Sequence, residues 1–388
     1  MRDGWDNYKF KEVATAAKGK LPKSKNEDGI GIPYLTASYL RSSQPDYWIE
    51  NLEGAVTAED GDCLILWDGA GAGDLFSARR GVVSSTMAVV TTQNSKILRE
   101  FLTLFISSKA DYIKETCRGT TVPHVSPDAI ANMELKIPPL PEQKRIVDLI
   151  SSVDSYIKAL QQQLENAKRS RNAVLYELLI AGGKGWGETS LGEITEVIGG
   201  GTPSTKIGEY WDGDIVWLTP TEITSQDGKV VSDSIRKITD LGFKNSGAQM
   251  LPIGSVILTS RASVGFVALA GKELCTNQGF QSLIPKPSVL SKFLMLWIQL
   301  NRPEFESRSA GSTFKEISKS NVKSIKLRLP PLTEQKRIVE IINTIDEVIS
   351  QTKLTTSKAK NLRSGLLSDL LNGEHEIPAS YDKVIGAA

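Results

Sequence analysis

Side chains able to do acid–base, nucleophilic or metal chemistry are scarce in this 388-residue chain. It has two histidines, His124 and His375, too few for most histidine-based triads or metal sites. Cys63, Cys117 and Cys275 lie far apart and form no CxxC pair, so they read as buried thiols in a reducing cytoplasm, not as zinc ligands or a disulfide framework. Neither G-x-x-x-x-G-K-[ST] nor H-E-x-x-H occurs. What the chain does offer is clustered hydrogen-bonding and cationic side chains in stretches without apolar anchors. Lys18, Lys20, Lys23 and Lys25 form one such stretch, and Thr202, Ser204, Thr205 and Lys206 form another. These groups suit binding better than catalysis, although a basic stretch of this kind is equally well a solvated loop.

The elements that must hold these groups come in two copies. Residues 138–147 read PPLPEQKRIV and residues 330–339 read PPLTEQKRIV, identical at nine of ten positions, at an offset of 192 from Pro138 to Pro330. The register holds upstream, where Gly119-Thr120-Thr121 matches Gly311-Ser312-Thr313. It holds downstream too, where Val153-Asp154 matches Ile345-Asp346 and Leu178-Leu179 matches Leu370-Leu371. A repeat of this length implies an internal pseudo-dimer with an approximate two-fold relation, not a solenoid.

After each Pro-Pro the pattern predicts a helix of about 40 residues, or about 60 Å. Pro141 and Thr333 suit a helix start, and Glu142 and Glu334 suit the positive end of its dipole. Ile146, Ile150, Val153, Ile157, Leu160 and Leu164 alternate at four and three, as do Ile338, Ile342, Ile345 and Ile349. That spacing predicts a coiled coil, antiparallel given the repeat, with Leu160 and Leu164 matched in register by Thr352 and Thr356. The alternative is that each helix packs only on its own globular domain. Gly182-Gly183 and Gly373 are expected to close the helices.

The expected boundaries are 1–137 and 184–329 for two globular heads, 138–183 and 330–374 for the helices, and 375–388 for a polar tail. The heads carry short β-type runs such as Cys63-Leu64-Ile65-Leu66-Trp67 and Val256-Ile257-Leu258-Thr259, with one helix each near Ile97–Ser108 and Ser291–Leu300. The fold class is therefore α+β, with two heads separated by two long helices. The helices are nearly copied while the heads diverge, as expected if the helices serve one common partner and the heads read different things. Hydrophobic content of 40% and no apolar run of membrane length predict a protein without a membrane span, and the first residues show no secretory signal. The net charge of +1 is low for a nucleic-acid binder, so basic groups must gather on one face or a partner must supply affinity.

The two PPL(P/T)EQKRIV segments, the helix ends AVLYELLIAG and GLLSDLLNG, and the second-head runs Gly200-Gly201-Thr202-Pro203-Ser204, Arg261-Ala262-Ser263-Val264-Gly265 and Thr276-Asn277-Gln278-Gly279 carry a resemblance. The chain resembles the specificity subunit of type I restriction–modification systems over almost its whole length. The first head departs from the pattern, with Trp67-Asp68-Gly69-Ala70 in place of the Arg-Ala segment. The resemblance implies a non-catalytic subunit whose heads each read half of a split double-stranded DNA site. The coil would set the gap and dock two adenine methyltransferase subunits, and restriction/translocase subunits would join. S-adenosylmethionine, ATP and Mg are then expected only in those partners. Consistently, both Pro-Pro pairs are followed by Leu, so the chain lacks an Asn/Asp-Pro-Pro-Tyr/Phe methyltransferase motif.

On that reading the DNA-contacting candidates in the first head are Lys20, Lys23, Lys25, Arg79, Arg80, Arg118, Thr120 and Thr121. In the second head they are Thr202, Ser204, Thr205, Lys206, Ser260, Arg261, Gln278, Ser312, Thr313 and Lys315. Asn277 fits a turn as well as a contact, and Trp67, Trp211 and Trp217 fit the core better than a stacking platform. His124 fits a site near DNA and a plain surface position alike. Gly69-Ala70-Gly71-Ala72-Gly73-Asp74 follows a strand, but its spacing fails the dinucleotide fingerprint, so a flexible loop near DNA or a neighbouring strand is expected. The competing function is a coiled-coil scaffold whose heads bind proteins, which the near-neutral charge favours.

Overall fold

The computed structural model describes residues 4–119, 121–180, 185–310 and 315–385. Contacts divide the chain into two units, residues 1–161 with 354–388, and residues 162–353. Each unit holds one head, the start of its own long helix and the end of the other.

In the first head a four-stranded antiparallel sheet runs in the order Ala14–Lys18, Met87–Thr92, Cys63–Leu66, Leu75–Ser77. The strand Cys63–Leu66 is buried along its whole length, which is why it reads as a continuous apolar run and not as an alternation. A second sheet runs Trp48–Ile49, Ile32–Leu35, Gly81–Val83, Thr57–Ala58, and its middle pair is parallel. The second head repeats this plan. One sheet runs Thr195–Gly199, Gln281–Pro285, Val256–Leu258, Val267–Ala270, Val230–Val231, and the other runs Lys237–Ile238, Trp211–Leu218, Cys275–Thr276. Again one central pair, Trp217 with Cys275, is parallel.

A two-stranded ribbon closes each head. Asp6–Lys9 pairs antiparallel with Glu134–Ile137, and Gly187–Ser190 with Lys326–Leu329. The ribbon returns the chain to where the head began, and Pro-Pro then ends the strand. The long helices follow at once, Leu140–Ile180 and Leu332–Asn372, each of 41 residues.

Gln143 and Gln335, the glutamines of the repeated motif, are fully buried. Gln143 Oε1 accepts from the Leu98 N–H at 2.8 Å, and its amide nitrogen donates to the carbonyls of Lys96 at 2.7 Å and Pro138 at 2.8 Å. Gln335 makes the same three bonds to Leu290, Ser288 and Pro330. Leu98 and Leu290 are the N-cap residues of the helices Arg99–Ser108 and Ser291–Leu300. Their caps lack a side-chain acceptor of their own, so one glutamine ties the head's helix to the start of the long helix.

The long helices pack antiparallel. In the first unit Val153, Ile157 and Leu160 meet Ala359, while Ile146 and Ile150 join Leu367, Leu370 and Leu371 in the core beneath Phe101 and Phe105. In the second unit Leu175 and Leu179 join Ile338 and Ile342 with Phe293 and Trp297. The start of each seam therefore serves two purposes, packing on its own head and on the other helix. Leu164, Ile345 and Ile349 are half-buried, and Thr352 and Thr356 are buried in the seam. Two bidentate ion pairs flank the seam. Arg363 grips Asp154 at 2.7 and 2.8 Å in the first unit, and Arg171 grips Asp346 in the second. Asp154 and Asp346 are 192 apart, as are Arg171 and Arg363, so the clasp is written into the repeat.

Gly373 (φ +75°) ends the second helix in the left-handed conformation, and the Glu374 N–H reaches back to the Asp369 carbonyl at 2.9 Å. Gly182 and Gly183 lie outside the described residues. Beyond Gly373 the tail folds back, burying Ile377 against the first head's core and bringing Asp382 within 3.8 Å of Arg145.

Candidate nucleic-acid interface

Four segments of the second head converge on one patch. The loop at Gly200 lies so close to its neighbours that a Cβ there would sit 2.0 Å from the Asn277 carbonyl, and the Gly201 N–H donates to Thr276 O at 2.9 Å. Two tryptophans hold the loop from below. Trp217 Nε1 donates to Gly201 O at 2.8 Å and Trp211 Nε1 to Ser204 O at 3.1 Å, with the rings edge-to-face at 5.1 Å. They are core residues that also fix the loop. Thr202 Oγ1 donates to Gln278 Oε1, joining the first segment to the second. Asn277 holds the turn, its Oδ1 accepting from the Gly279 N–H at 2.8 Å.

The third segment joins through Ser260, whose N–H donates to Gly279 O at 2.8 Å. Arg261 is exposed and paired with Glu316 at 2.9 Å, and the Ala262 N–H donates to Lys315 O at 3.0 Å, bringing in the fourth segment. Ala262 has φ +59°, a left-handed conformation that costs a non-glycine residue of order 1 kcal/mol or more. Thr202, Ser204, Thr205, Lys206, Arg261, Gln278 and Lys315 are all exposed, and the patch unites Thr202, Gln278, Arg261 and Lys315. Ser260 is the correction. It is completely buried, with its hydroxyl facing the interior, because its backbone is sandwiched between Gly279 and Ile317. Ser312, Thr313 and Thr120 lie outside the described residues.

The first head builds the same scaffold with different chemistry. A Cβ at Gly19 would sit 2.1 Å from the Val83 carbonyl, matching the approach at Gly200. Asp68 bridges His124, and His124 bridges Arg118, as Arg261 bridges Glu316 and Glu316 bridges Ala310. Asp68 thus occupies the place of Arg261, and His124 that of Glu316, so an acidic side chain stands where the second head has a basic one. Lys18 Nζ lies 2.6 Å from the Asp68 carboxylate.

The remaining first-head candidates are spread out. Lys20, Lys23 and Lys25 are exposed; Lys23 lies 3.8 Å from Glu53, and Lys25 Nζ sits 3.5 Å from the Tyr47 ring centroid. Arg118 and Thr121 are exposed beside His124. Arg79 and Arg80 are exposed elsewhere. Arg79 donates to Ser43 Oγ at 3.3 Å, and the Arg80 N–H donates to Asp60 at 2.9 Å.

The glycine-rich loop is not an anion cradle. The N–H groups of Gly69, Ala72, Gly73 and Asp74 donate to protein carbonyls. Asp74 is held by Lys114 at 2.9 Å and Arg41 at 2.8 Å, and the hydrogen bond from Lys114, ahead of Arg41, holds its carboxyl below the usual range. Burial pushes the thiols of Cys63 and Cys275 up to about 12, so neither is a nucleophile at neutral pH.

Two kinds of residue escape sequence reasoning. Arg236, one residue before the strand Lys237–Ile238, lies with its guanidinium 3.6 Å from the Trp211 ring centroid, and no sequence pattern announces it. Gln143 and Gln335 had a signal. A polar residue kept identical at both copies within a helix's first turn points to a shared bond.

Among the described residues no group of three or more His, Cys, Asp and Glu could hold a metal ion, and no helix is long and apolar enough to cross a membrane. Comparison with known proteins gives a consistent picture. The family model of the type I restriction modification DNA specificity domain matches residues 2–168 and again 183–360. The chain is 39% identical over 172 residues to the type I restriction enzyme MjaIX specificity subunit of Methanocaldococcus jannaschii, a match spanning 44% of this chain and 40% of that protein. It is 24% identical to the MjaVIII specificity subunit of the same organism, over 96% of this chain and 93% of that one. A chain from a solved type I R-M system shares the fold at a TM-score of 0.66 and 18% identity, covering 96% of this chain and 98% of that one. With both heads and the greater part of both helices inside the two matched segments, the chain belongs to the family of type I restriction–modification DNA specificity domains, which it carries in duplicate.

Proposed function

We propose that this chain is the non-catalytic recognition subunit of a type I restriction–modification complex, each head reading one half of an asymmetric, bipartite site in double-stranded DNA. The observation that carries the reading is the contrast between the heads. One backbone scaffold presents Arg261 with Glu316 in the second head and Asp68 with His124 in the first. An arginine matches the acceptor edge of guanine, whereas an aspartate accepts from the amino group of cytosine, so the same frame reads different bases.

The two helices serve as ruler and dock. Their length sets the spacer between half-sites, and their repeated surface takes two methyltransferase subunits, which bring S-adenosylmethionine. Restriction/translocase subunits bring ATP and Mg. With a net charge of +1 the subunit alone holds DNA weakly, and its partners complete the clamp. The test is co-expression with a cognate modification subunit, followed by genome-wide mapping of methylated adenines. A gapped motif with two unlike halves is expected. No methylation beside an active modification subunit would refute the reading and leave the protein-binding scaffold in its place.

A further inference from the structure

The heads share one more feature, a cation laid on an aromatic ring at the same corner of the same sheet. In the second head Ile215 pairs with Ile238 and Val216 with Lys237, which makes Arg236 the next residue outward. Its guanidinium lies 3.6 Å from the Trp211 ring centroid and 5.9 Å from that of Trp217. In the first head Ile32 pairs with Ile49 and Pro33 with Trp48, so the residue in Arg236's place is Tyr47. The cation there comes from the facing loop, with Lys25 Nζ 3.5 Å from the Tyr47 ring centroid. Strand and loop have exchanged roles, yet the stacked pair persists.

In the second head charge accounting separates Arg236 from three other arginines. Arg261 is neutralised by Glu316, Arg302 by Asp227 and Arg308 by Glu304. Among the described residues neither Arg236 nor Lys25 has a carboxylate within ion-pair distance, although both are exposed. Stacking on a ring restrains the side chain without satisfying its N–H donors. In the second head the ring beneath Arg236 is also the one whose indole N–H anchors Ser204 of the candidate loop, which ties this cation to the patch.

We propose that Arg236 and Lys25 are pre-positioned DNA contacts, one per head, whose donors meet either phosphate oxygens or the O6/N7 edge of guanine. This rests on the half-site reading above. The test uses the full chain in complex with its modification subunit and a duplex carrying the motif mapped for the wild type. Arg236→Met and Lys25→Met keep the apolar cover over the ring but remove the charge, so a purely structural role predicts no change.

Each substitution is expected to weaken binding about tenfold. A phosphate contact lowers the slope of log affinity against log salt by about one and leaves the motif intact. A guanine contact leaves one base of one half-motif degenerate in the methylation map. Wild-type affinity, salt slope and motif in both variants would overturn the proposal while the half-site reading stood. A wild-type complex that yields no motif would overturn both.

Discussion

Replacing Gln143 with alanine removes three hydrogen bonds of 2.7 to 2.8 Å from a fully buried side chain. It strands the Leu98 N–H and the carbonyls of Lys96 and Pro138. At about 1 kcal/mol for each bond the first head's junction loses about 3 kcal/mol, roughly a hundredfold in its opening equilibrium. Gln143→Glu should be worse, because a carboxylate cannot donate to either carbonyl and becomes a buried charge. Hydrogen exchange followed by mass spectrometry reads the effect locally. Exchange should accelerate across the helix Arg99–Ser108 and stay unchanged in the helix Ser291–Leu300. Gln335→Ala should give the mirror result. Acceleration of less than about fivefold, or equal acceleration in both helices, would refute the claim that each glutamine locks its own head.

Other expectations can be measured alongside. Arg261→Ala should cost about 1–3 kcal/mol in DNA affinity and relax one half-motif only; unchanged methylation at both halves would remove Arg261 from the interface. A double-mutant cycle on Asp154 and Arg363 should give a coupling of about 1 kcal/mol by denaturant unfolding, since the pair is bidentate but part-exposed, and additive single effects would argue against the clasp. Asp74 has a carboxyl held below its ordinary value, so its pairing stabilises the fold above that value and is lost as pH falls through the folded one. The melting-temperature gap between wild type and Asp74→Asn should therefore be widest near neutral pH and close in acid; a constant gap would contradict the pairing. Native labelling at pH 8 with a maleimide should spare Cys63 and Cys275, whose thiols lie near 12, and any labelling should fall on Cys117.

The parts of this protein legible in its sequence are those whose signal is local and repeated. The 192-residue offset marks the copies, the four–three spacing marks the seam, and Pro-Pro marks the junction. The four–three spacing of the first helix stops at Leu164, and nearer the helix end Leu175 and Leu179 are buried with Val174 and Leu178 partly so. There the helix leaves a narrow seam and packs on a head, so a wider face is covered. The candidate site was legible as a set of loops, not as a set of contacts. Ser260 sits beside Arg261 in sequence yet points inward, because successive residues of an extended segment face opposite ways.

By itself, then, the sequence determined a duplicated α+β chain with two long antiparallel helices, since periodicity and repetition are properties of neighbouring residues. Only the tertiary structure decided which side chains share a surface. Thr202 meets Gln278 across 76 residues, and Arg261 meets Glu316 through strand pairings that no local pattern specifies. It also decided that the shared glutamine is an internal bond and that Arg236 rests on a tryptophan 25 residues before it in the chain. Contacts between distant segments depend on sheet order and register, and these are fixed by the packing of the whole head.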